Sequence, residues 1–513
     1  MDSEADKPFD STGLADTILR SSDNVHFYVL GAFLRYVSPT FRDMFSLSRG
    51  SATDKNETKD GYPVIPLPED RETIHYLLSI IHPYIDEPKL DDSRLLYKVW
   101  KMAEKYGMET VVSKLQKKLL GDRWMKDQPH NVFAIAIIGG WKDGAKKAKQ
   151  MLASWEEIPY SALFEDISGT DYYELLEYSS RGTSPGEGPA EHDEYNTSVS
   201  AEDNLPVDST HSTSSGVGTS ELFRNSCSKT DIILRSSDGV DFCVSRPFLQ
   251  LFSSAFDEPF PNAKGESKDG RTIVRVTDDS KALRYFLFAL HKPMDKLPVE
   301  NPGLIADICM VARKYRMPIV EARLKEQLAA SSSVVQKPLC VYAIATALGW
   351  GDVAKAAAKN TLNGPVEKAV TCIPELRRIT GADLFRLINY RTKCTKAAYG
   401  VLDSSQLHQE YGPNRLAFYL RSVHGKRPIF GPVGTYPEAL GSNDVEKELD
   451  KCPRGTTYTN IFAQAFDILN RDGEARYWSV SPVAGFFKCC KEVTEAIERA
   501  VDEVDILPSA SPR

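Results

Sequence analysis

The chain has 513 residues, of which 42% are hydrophobic and 26% are charged, and its formal net charge is −8. This composition provides enough apolar residues for several buried cores. The acidic balance argues against broad electrostatic attraction to nucleic acid or to an anionic membrane. The longest apolar run lies at residues 132–141 and is far shorter than the roughly 20 residues that a membrane-spanning helix needs.

The N-terminal segment is acidic and polar, and it lacks the pattern of a signal peptide. Nine cysteines are scattered without a pairing rhythm, which favours reduced thiols. We therefore expect the protein in the cytoplasm or the nucleus.

The first predicted elements form a β-hairpin. Residues 17–19 are a short β-prone run, and the dipeptide Asp23-Asn24 favours a hairpin turn. Residues 25–29 then alternate between apolar and polar side chains. This alternation predicts a second strand with one buried face.

A short helix is predicted directly after the hairpin. The dipeptide Ser38-Pro39 is typical of an N-cap followed by the first helical position. Phe41, Met44 and Phe45 follow at positions i, i+3 and i+4, so they share one face of this helix.

The remainder of this region predicts one more strand and then several helices. Residues 64–67 are the β-prone run. Asp70 is placed to cap the next helix, and Gly107 is placed to end a later one.

Several landmarks occur twice in the same order, first 215 and later 209 residues apart. The matched pairs include Asp16 and Asp231, Leu19 and Leu234, Tyr106 and Tyr315, Met108 and Met317, and Trp141 and Trp350. Solenoid repeats have periods of about 20–50 residues. Each copy is therefore a domain or a pair of domains.

The regions outside the two copies have different compositions. Residues 179–228 are rich in Ser, Gly, Thr, Glu and Asp, which predicts a disordered linker because little apolar surface can be buried. The repeat pattern stops near residue 396. Residues 486–507 carry an amphipathic stripe, which predicts a helical tail that docks on the second copy.

The order of these elements resembles the BTB/POZ domain, and in particular fungal BTB proteins with a helical extension. The first copy carries the resemblance at Asp16, Ile18, Leu19, Phe27, Val29, Leu34, Ser38, Pro39, Phe41, Met44, Phe45, Tyr106 and Met108. The second copy carries it at Asp231, Leu234, Phe242, Val244, Phe248, Leu249, Ser253, Phe256, Tyr315 and Met317.

The resemblance implies an α+β, mainly helical fold with two BTB/POZ-like units. Each unit would have a small sheet, a helical cluster and a BACK-like helical extension. The predicted boundaries are 14–121 and 122–178 for the first domain and its extension, 179–228 for the linker, 229–330 and 331–395 for the second domain and its extension, and 396–513 for the C-terminal tail.

The resemblance also implies a set of partner-binding residues. In the helix after the hairpin and its counterpart, these are Phe41, Met44, Phe45, Leu47, Phe256 and Phe260. Transcription-factor members use an acidic and basic pocket, which Asp231 and Arg246 retain in the second copy. The first copy has Leu30-Gly31 at the position of the basic residue.

The implied function is that of a protein-interaction scaffold or adaptor and not of an enzyme. Its partners would be proteins, through self-association or intramolecular pairing of the BTB units, and a cullin if the chain is a substrate adaptor of a ubiquitin ligase. The alternative is a transcriptional regulator that recruits partners through its BTB domains without contacting nucleic acid directly.

No cofactor is expected, because the sequence has no phosphate-binding loop, nucleophile elbow or zinc-protease motif. A zinc site made by His408, His424, Cys452 and Cys489 is the one metal alternative, and ordinary thiols are the simpler reading.

Overall fold

The computed structural model describes residues 3–47, 57–82, 92–153, 155, 157–180, 230–253, 255, 267–268, 270–291, 297, 299–403, 448–457, 459–460 and 480–506. The chain divides into two compact units. Unit 1 comprises residues 1–167 and 174–184, and unit 2 comprises residues 168–173 and 185–513. The predicted linker at 179–228 lies outside the described residues except for its first two positions.

Unit 1 contains a five-stranded sheet. Its strands are β1 (Ser3–Glu4), β2 (Thr17–Arg20), β3 (Val25–Val29), β4 (Thr58–Lys59) and β5 (Tyr62–Pro66), in the order β1-β3-β2-β5-β4. Strands β2 and β3 form the predicted antiparallel hairpin, with Asn24 in the left-handed region at its turn. Strand β5 pairs in parallel with β2.

Helices make up most of unit 1. They are α1 (Gly31–Val37), α2 (Pro39–Leu47), α3 (Arg71–Ile81), α4 (Ser93–Lys105), α5 (Glu109–Leu119), α6 (Asp122–Asp127), α7 (Pro129–Ile138) and α8 (Lys142–Leu152). A 3-10 turn at Ala162–Glu165 precedes α9 (Gly169–Ser180).

The local signals at two helix ends are confirmed. The Asp70 carboxylate accepts a hydrogen bond from the Thr73 backbone N–H at 2.8 Å and so caps α3. Gly107 follows α4 with φ of +66°, a conformation that favours glycine. The apolar stripe of α4, which includes Val99 and Met102, is buried against α3 and α5.

Unit 2 contains a four-stranded sheet. Its strands are β6 (Ile232–Arg235), β7 (Asp241–Val244), β8 (Ser267–Lys268) and β9 (Arg271–Arg275), in the order β7-β6-β9-β8. Strands β6 and β7 are antiparallel, and β6 and β9 are parallel. This order and these directions are the same as those of β3-β2-β5-β4.

Helices make up most of the described residues of unit 2. They are α10 (Arg246–Phe252), α11 (Ser280–His291), α12 (Pro302–Lys314), α13 (Pro318–Ala329), α14 (Ser333–Gln336), α15 (Pro338–Ala347), α16 (Gly351–Asn360), α17 (Val366–Ala369), α18 (Gly381–Asp403) and α19 (Val480–Asp502). Short 3-10 turns occur at Thr361–Asn363 and Pro374–Arg378.

The C-terminal helix α19 packs against α18 within unit 2. Val493, Ile497 and Val501, which are part of the predicted amphipathic stripe, are at most 2% exposed. Asp505 pairs with Lys355 of α16 at 3.0 Å. The helix therefore forms part of the core of unit 2.

A buried arginine joins the C-terminal residues to this core. Arg391 of α18 is 5% exposed, and its guanidinium donates to the backbone carbonyls of Thr361, Gly364 and Lys451. Since a buried charged group must be hydrogen-bonded, these carbonyls hold three segments of unit 2 together.

The chain is thus mainly helical with small sheets, which fits the expected α+β class. None of the helices in the described part of the chain is long and apolar enough to cross a membrane.

Candidate protein-interaction surface

An aspartate in each unit caps the helix that follows the hairpin. Asp16 Oδ1 accepts a hydrogen bond from the Gly31 backbone N–H at 2.5 Å. Asp231 Oδ1 accepts one from the Arg246 backbone N–H at 2.7 Å. A carboxylate at a helix N-terminus also interacts favourably with the helix dipole. The predicted pair of Asp231 and Arg246 therefore meets through the backbone, as a helix cap.

A buried serine in each unit ties two helices together. The Ser38 hydroxyl donates to the Tyr106 backbone carbonyl at 2.5 Å and accepts from the Phe41 N–H at 3.1 Å. The Ser253 hydroxyl donates to the Tyr315 carbonyl in the same way. These bonds fix the segment after α1 or α10 to the end of α4 or α12.

The predicted partner-binding rings of α2 pack inside unit 1. Phe41 is 1% exposed and stacks on Tyr106, with ring centroids 4.6 Å apart. Phe45 is 8% exposed and lies 6.2 Å from Phe41. Their burial favours a packing role, and a partner would not reach the Phe41 ring without opening the domain.

The remaining predicted site residues are placed differently. Met44 is half-buried on α2. Leu47 is the last residue of α2, and its side chain lies outside the described part of the structure. Phe256 and Phe260 also lie outside it. Contacts of these four residues with a partner stay predictions.

Tyr106 and Tyr315 extend the two serine-centred networks. The Tyr106 hydroxyl donates to a Glu69 carboxylate oxygen at 3.1 Å, and the Tyr315 hydroxyl donates to Asp278 at 3.0 Å. Burial, and then the neighbouring carboxylate, raises the pKa of both phenols above the ordinary value. Both hydroxyls therefore remain protonated donors, as a structural role requires.

An open groove in unit 1 contains charges of both signs. Its volume is about 540 Å³, and it lies beside α4. Lys98 bonds to Asp70 at 2.8 Å, and Lys105 bonds to Glu69 at 2.7 Å. Burial opposes ionisation of Asp70, but the bonds from Lys98 and Thr73 outweigh it and lower its pKa. The paired charges give the groove no strong net field for an ionic ligand.

Three large apolar side chains in the N-terminal part of unit 1 are exposed to solvent. Among the described residues of 5–122, the exposed large apolar side chains are Leu14, Leu30 and Tyr36, at 82%, 38% and 87%. Tyr36 lies on α1, Leu30 directly precedes that helix, and Leu14 precedes β2. In unit 2, Leu251 on α10 is 80% exposed and lies 215 residues after Tyr36. Apolar side chains grouped at a surface often mark a binding site.

The structure offers no clear metal centre in the part that it describes. No group of three or more His, Cys, Asp or Glu side chains there could hold an ion. His408 and His424 and the side chain of Cys489, which belong to the zinc alternative, lie outside the described residues.

Comparison with known families adds an independent observation to this geometry. Residues 5–122 match the family model of the BTB/POZ domain. The match spans strands β2–β5 and helices α1–α5 of unit 1. BTB/POZ domains are protein-interaction modules that also self-associate, so the match supports a BTB protein with an interaction role. No curated protein matches the chain.

Two features of unit 1 were not predicted from the sequence. It treated the residues before Asp16 as short and polar, whereas Ser3 and Glu4 form β1 and Phe9 is buried. Phe9 was the available signal, because it is the one large aromatic residue in that acidic segment. The exposure of Tyr36 had no signal, since an aromatic residue in a helix is usually buried.

Proposed function

We propose that the chain is a protein-interaction scaffold or adaptor that acts through two BTB/POZ-like domains, at residues 14–121 and 229–330. Each would be followed by a helical extension, at 122–178 and 331–395. The carrying observation is that Tyr36 and Leu251 are almost fully exposed at equivalent positions of α1 and α10. An apolar side chain kept in water at the same position of both units gains nothing from folding and suits a partner contact.

The proposal for a second BTB/POZ-like domain rests on shared local geometry. Both units share the order of four strands, the aspartate cap on the next helix, and the serine bond to a tyrosine carbonyl. These bonds join residues far apart in the sequence, so their repetition is hard to obtain from unrelated folds.

The proposed interaction face of unit 1 consists of Leu14, Leu30 and Tyr36. Fully burying one such side chain contributes about 1.5–3 kcal/mol, so three could anchor a partner at the centre of an interface. The corresponding face of unit 2 would use Leu251 and its neighbour Phe252, which is 39% exposed.

The specific role that we propose is substrate adaptor of a cullin ubiquitin ligase, in the cytoplasm or the nucleus. It would require one unit to hold a cullin and the other to hold a substrate. This role would be supported if a purified cullin bound directly to the purified full-length chain. Partners limited to transcription factors and corepressors would favour the regulator instead.

The interaction face can be tested by affinity purification of the full-length chain. Proteins that bind the face of unit 1 should be lost with Tyr36→Ser, and those that bind the face of unit 2 should be lost with Leu251→Ser. Both groups should be recovered with the wild type and with Tyr160→Ser. Tyr160 is a matched control because it is 51% exposed and lies outside the face. Equal recovery of every partner by all four proteins would contradict the proposal.

A further inference from the structure

An N-terminal arm, residues 3–13, covers the outer edge of β3. Strand β1 pairs in parallel with β3, with Ser3 opposite Val25. The Ala5 N–H donates to the His26 carbonyl at 2.9 Å, and the Tyr28 N–H donates to the Phe9 carbonyl at 2.8 Å. The arm thus satisfies backbone groups that an edge strand would otherwise present to solvent.

One side chain of the arm enters an aromatic slot. Phe9 is 4% exposed, and its ring centroid lies 6.4 Å from that of Phe27. The rings of His75 and His82 meet it nearly edge-on, at 5.7 and 5.9 Å. The slot therefore selects a flat ring, and it is bordered by α3 and by His82, the residue that follows this helix.

The arm does not fill the space between itself and α3. A cavity of about 330 Å³ lies beside the slot. It is lined by Ala5, Asp6, Phe27, Arg71, Glu72, His75 and Tyr76. The groove could therefore take a longer or bulkier segment than the arm.

The first residues of the arm and its ion pair hold it weakly. Strand β1 has two residues, and the Ser3 N–H lies 3.4 Å from the Asn24 carbonyl, a long hydrogen bond. The ion pair of Asp6 with Arg71 spans 3.3 Å, and both side chains are more than half exposed. Exposed pairs of this kind contribute little to stability.

We propose that the outer edge of β3 and the Phe9 slot form a binding groove for an extended peptide segment with an aromatic side chain, and that the arm keeps this groove closed. An extended segment adds to a sheet edge through its backbone, while pockets for single side chains provide specificity. The arm itself defines the occupant: backbone groups at the positions of Ala5 and Phe9, and a ring at the position of Phe9.

This groove is a different surface from the one formed by Leu14, Leu30 and Tyr36, so the inference goes beyond the proposed function. Since the arm is part of the same chain, it competes at an effective concentration of the order of millimolar. A partner segment would bind weakly to the closed form and tightly once the arm is displaced.

The test uses a fluorescent peptide of residues 1–16 and the full-length chain. Phe9→Ser empties the slot, and Ala5→Pro removes the N–H that bonds to His26. By fluorescence anisotropy, both variants should bind the peptide at least about tenfold more tightly than the wild type. A peptide with Phe9→Ser should lose this binding.

Tyr160→Ser is the matched control, because Tyr160 is 51% exposed and belongs to neither proposed surface, so this variant should bind the peptide as weakly as the wild type. Circular dichroism would show whether each variant is folded. If Phe9→Ser does not fold, Ala5→Pro still provides the test. Equal binding by the wild type and a folded arm variant, or binding that persists without the peptide's ring, would overturn the proposal.

Discussion

A buried histidine in α7 should make the helical part of unit 1 sensitive to acid. His130 is 8% exposed, and its Nδ1 has no hydrogen-bond partner within the described structure. Its ring lies 5.9 Å from Trp155 and 6.5 Å from Phe164. Burial lowers the pKa of His130 from 6.5 to about 4, because the charged form would lose its hydration.

The direction of the pH effect on stability depends on whether His130 is protonated first in the unfolded or in the folded state. Between pH 6.5 and about 4 the unfolded chain protonates His130 while the folded unit does not. The stability that depends on the neutral ring is therefore complete above pH 6.5 and is lost as the pH falls towards 4. At 1.36 kcal/mol for each pH unit, the full loss amounts to about 3 kcal/mol.

His130→Leu should remove this loss. The spacing of 209 residues equates His130 with Leu339, which is 5% exposed in α15 of unit 2, so a leucine suits this kind of site. Hydrogen exchange of the full-length chain, measured by mass spectrometry in mild urea from pH 7.5 to 4.5 and corrected for intrinsic rates, would report on α7. Peptides from α15 in the same sample are the internal control.

The expected result is a wild type whose α7 loses protection below pH 6.5 faster than α15, and a variant in which both helices respond alike. If wild type and His130→Leu lost protection of α7 in parallel, the buried histidine would not be the cause.

Three further changes test other parts of the structure by urea unfolding. Arg316→Gly should stabilise unit 2 by about 1 kcal/mol, because Arg316 has φ of +52° where Gly107 serves in unit 1, and no gain would refute this. Ile497→Ala should cost about 2–5 kcal/mol, since this side chain is fully buried in α19, whereas exposed Lys491→Ala should change little. Ser38→Ala should cost about 1–3 kcal/mol by leaving the Tyr106 carbonyl buried without its donor, and an unchanged midpoint would contradict that reading.

The sequence predicts well those turns and helix ends that depend on interactions between residues close together in the chain. The turn at Asp23-Asn24, the cap at Asp70 and the helix end at Gly107 each depend on one or two residues and their neighbours. Alternation along residues 25–29 likewise decides the strand, although all five residues prove to be buried: Phe27 packs against Phe9, and Tyr28 belongs to a cluster with Ile18 and Val64.

The roles of the predicted partner-binding residues depend on contacts between residues far apart in the sequence, so short-range chemistry does not decide them. Phe41, Met44 and Phe45 share one helix face, and that pattern fits a core and a docking face equally well. The three-dimensional position of Tyr106, which stacks on Phe41, favours a packing role for that one ring. The same limit applies to Asp231, whose bond to a backbone N–H cannot be distinguished by sequence from a bond to the Arg246 guanidinium.

Three solvent-facing positions are apolar in unit 2 and polar in unit 1. Met310, Ile319 and Val335 are 54%, 80% and 63% exposed in unit 2. The spacing of 209 residues equates them with Lys101, Thr110 and Lys126 of unit 1. Polar side chains at these positions are well suited to water, and replacing them with apolar ones contributes nothing to the core. The exposed side chains at these positions therefore differ, while the aspartate caps and the buried serine bonds are shared.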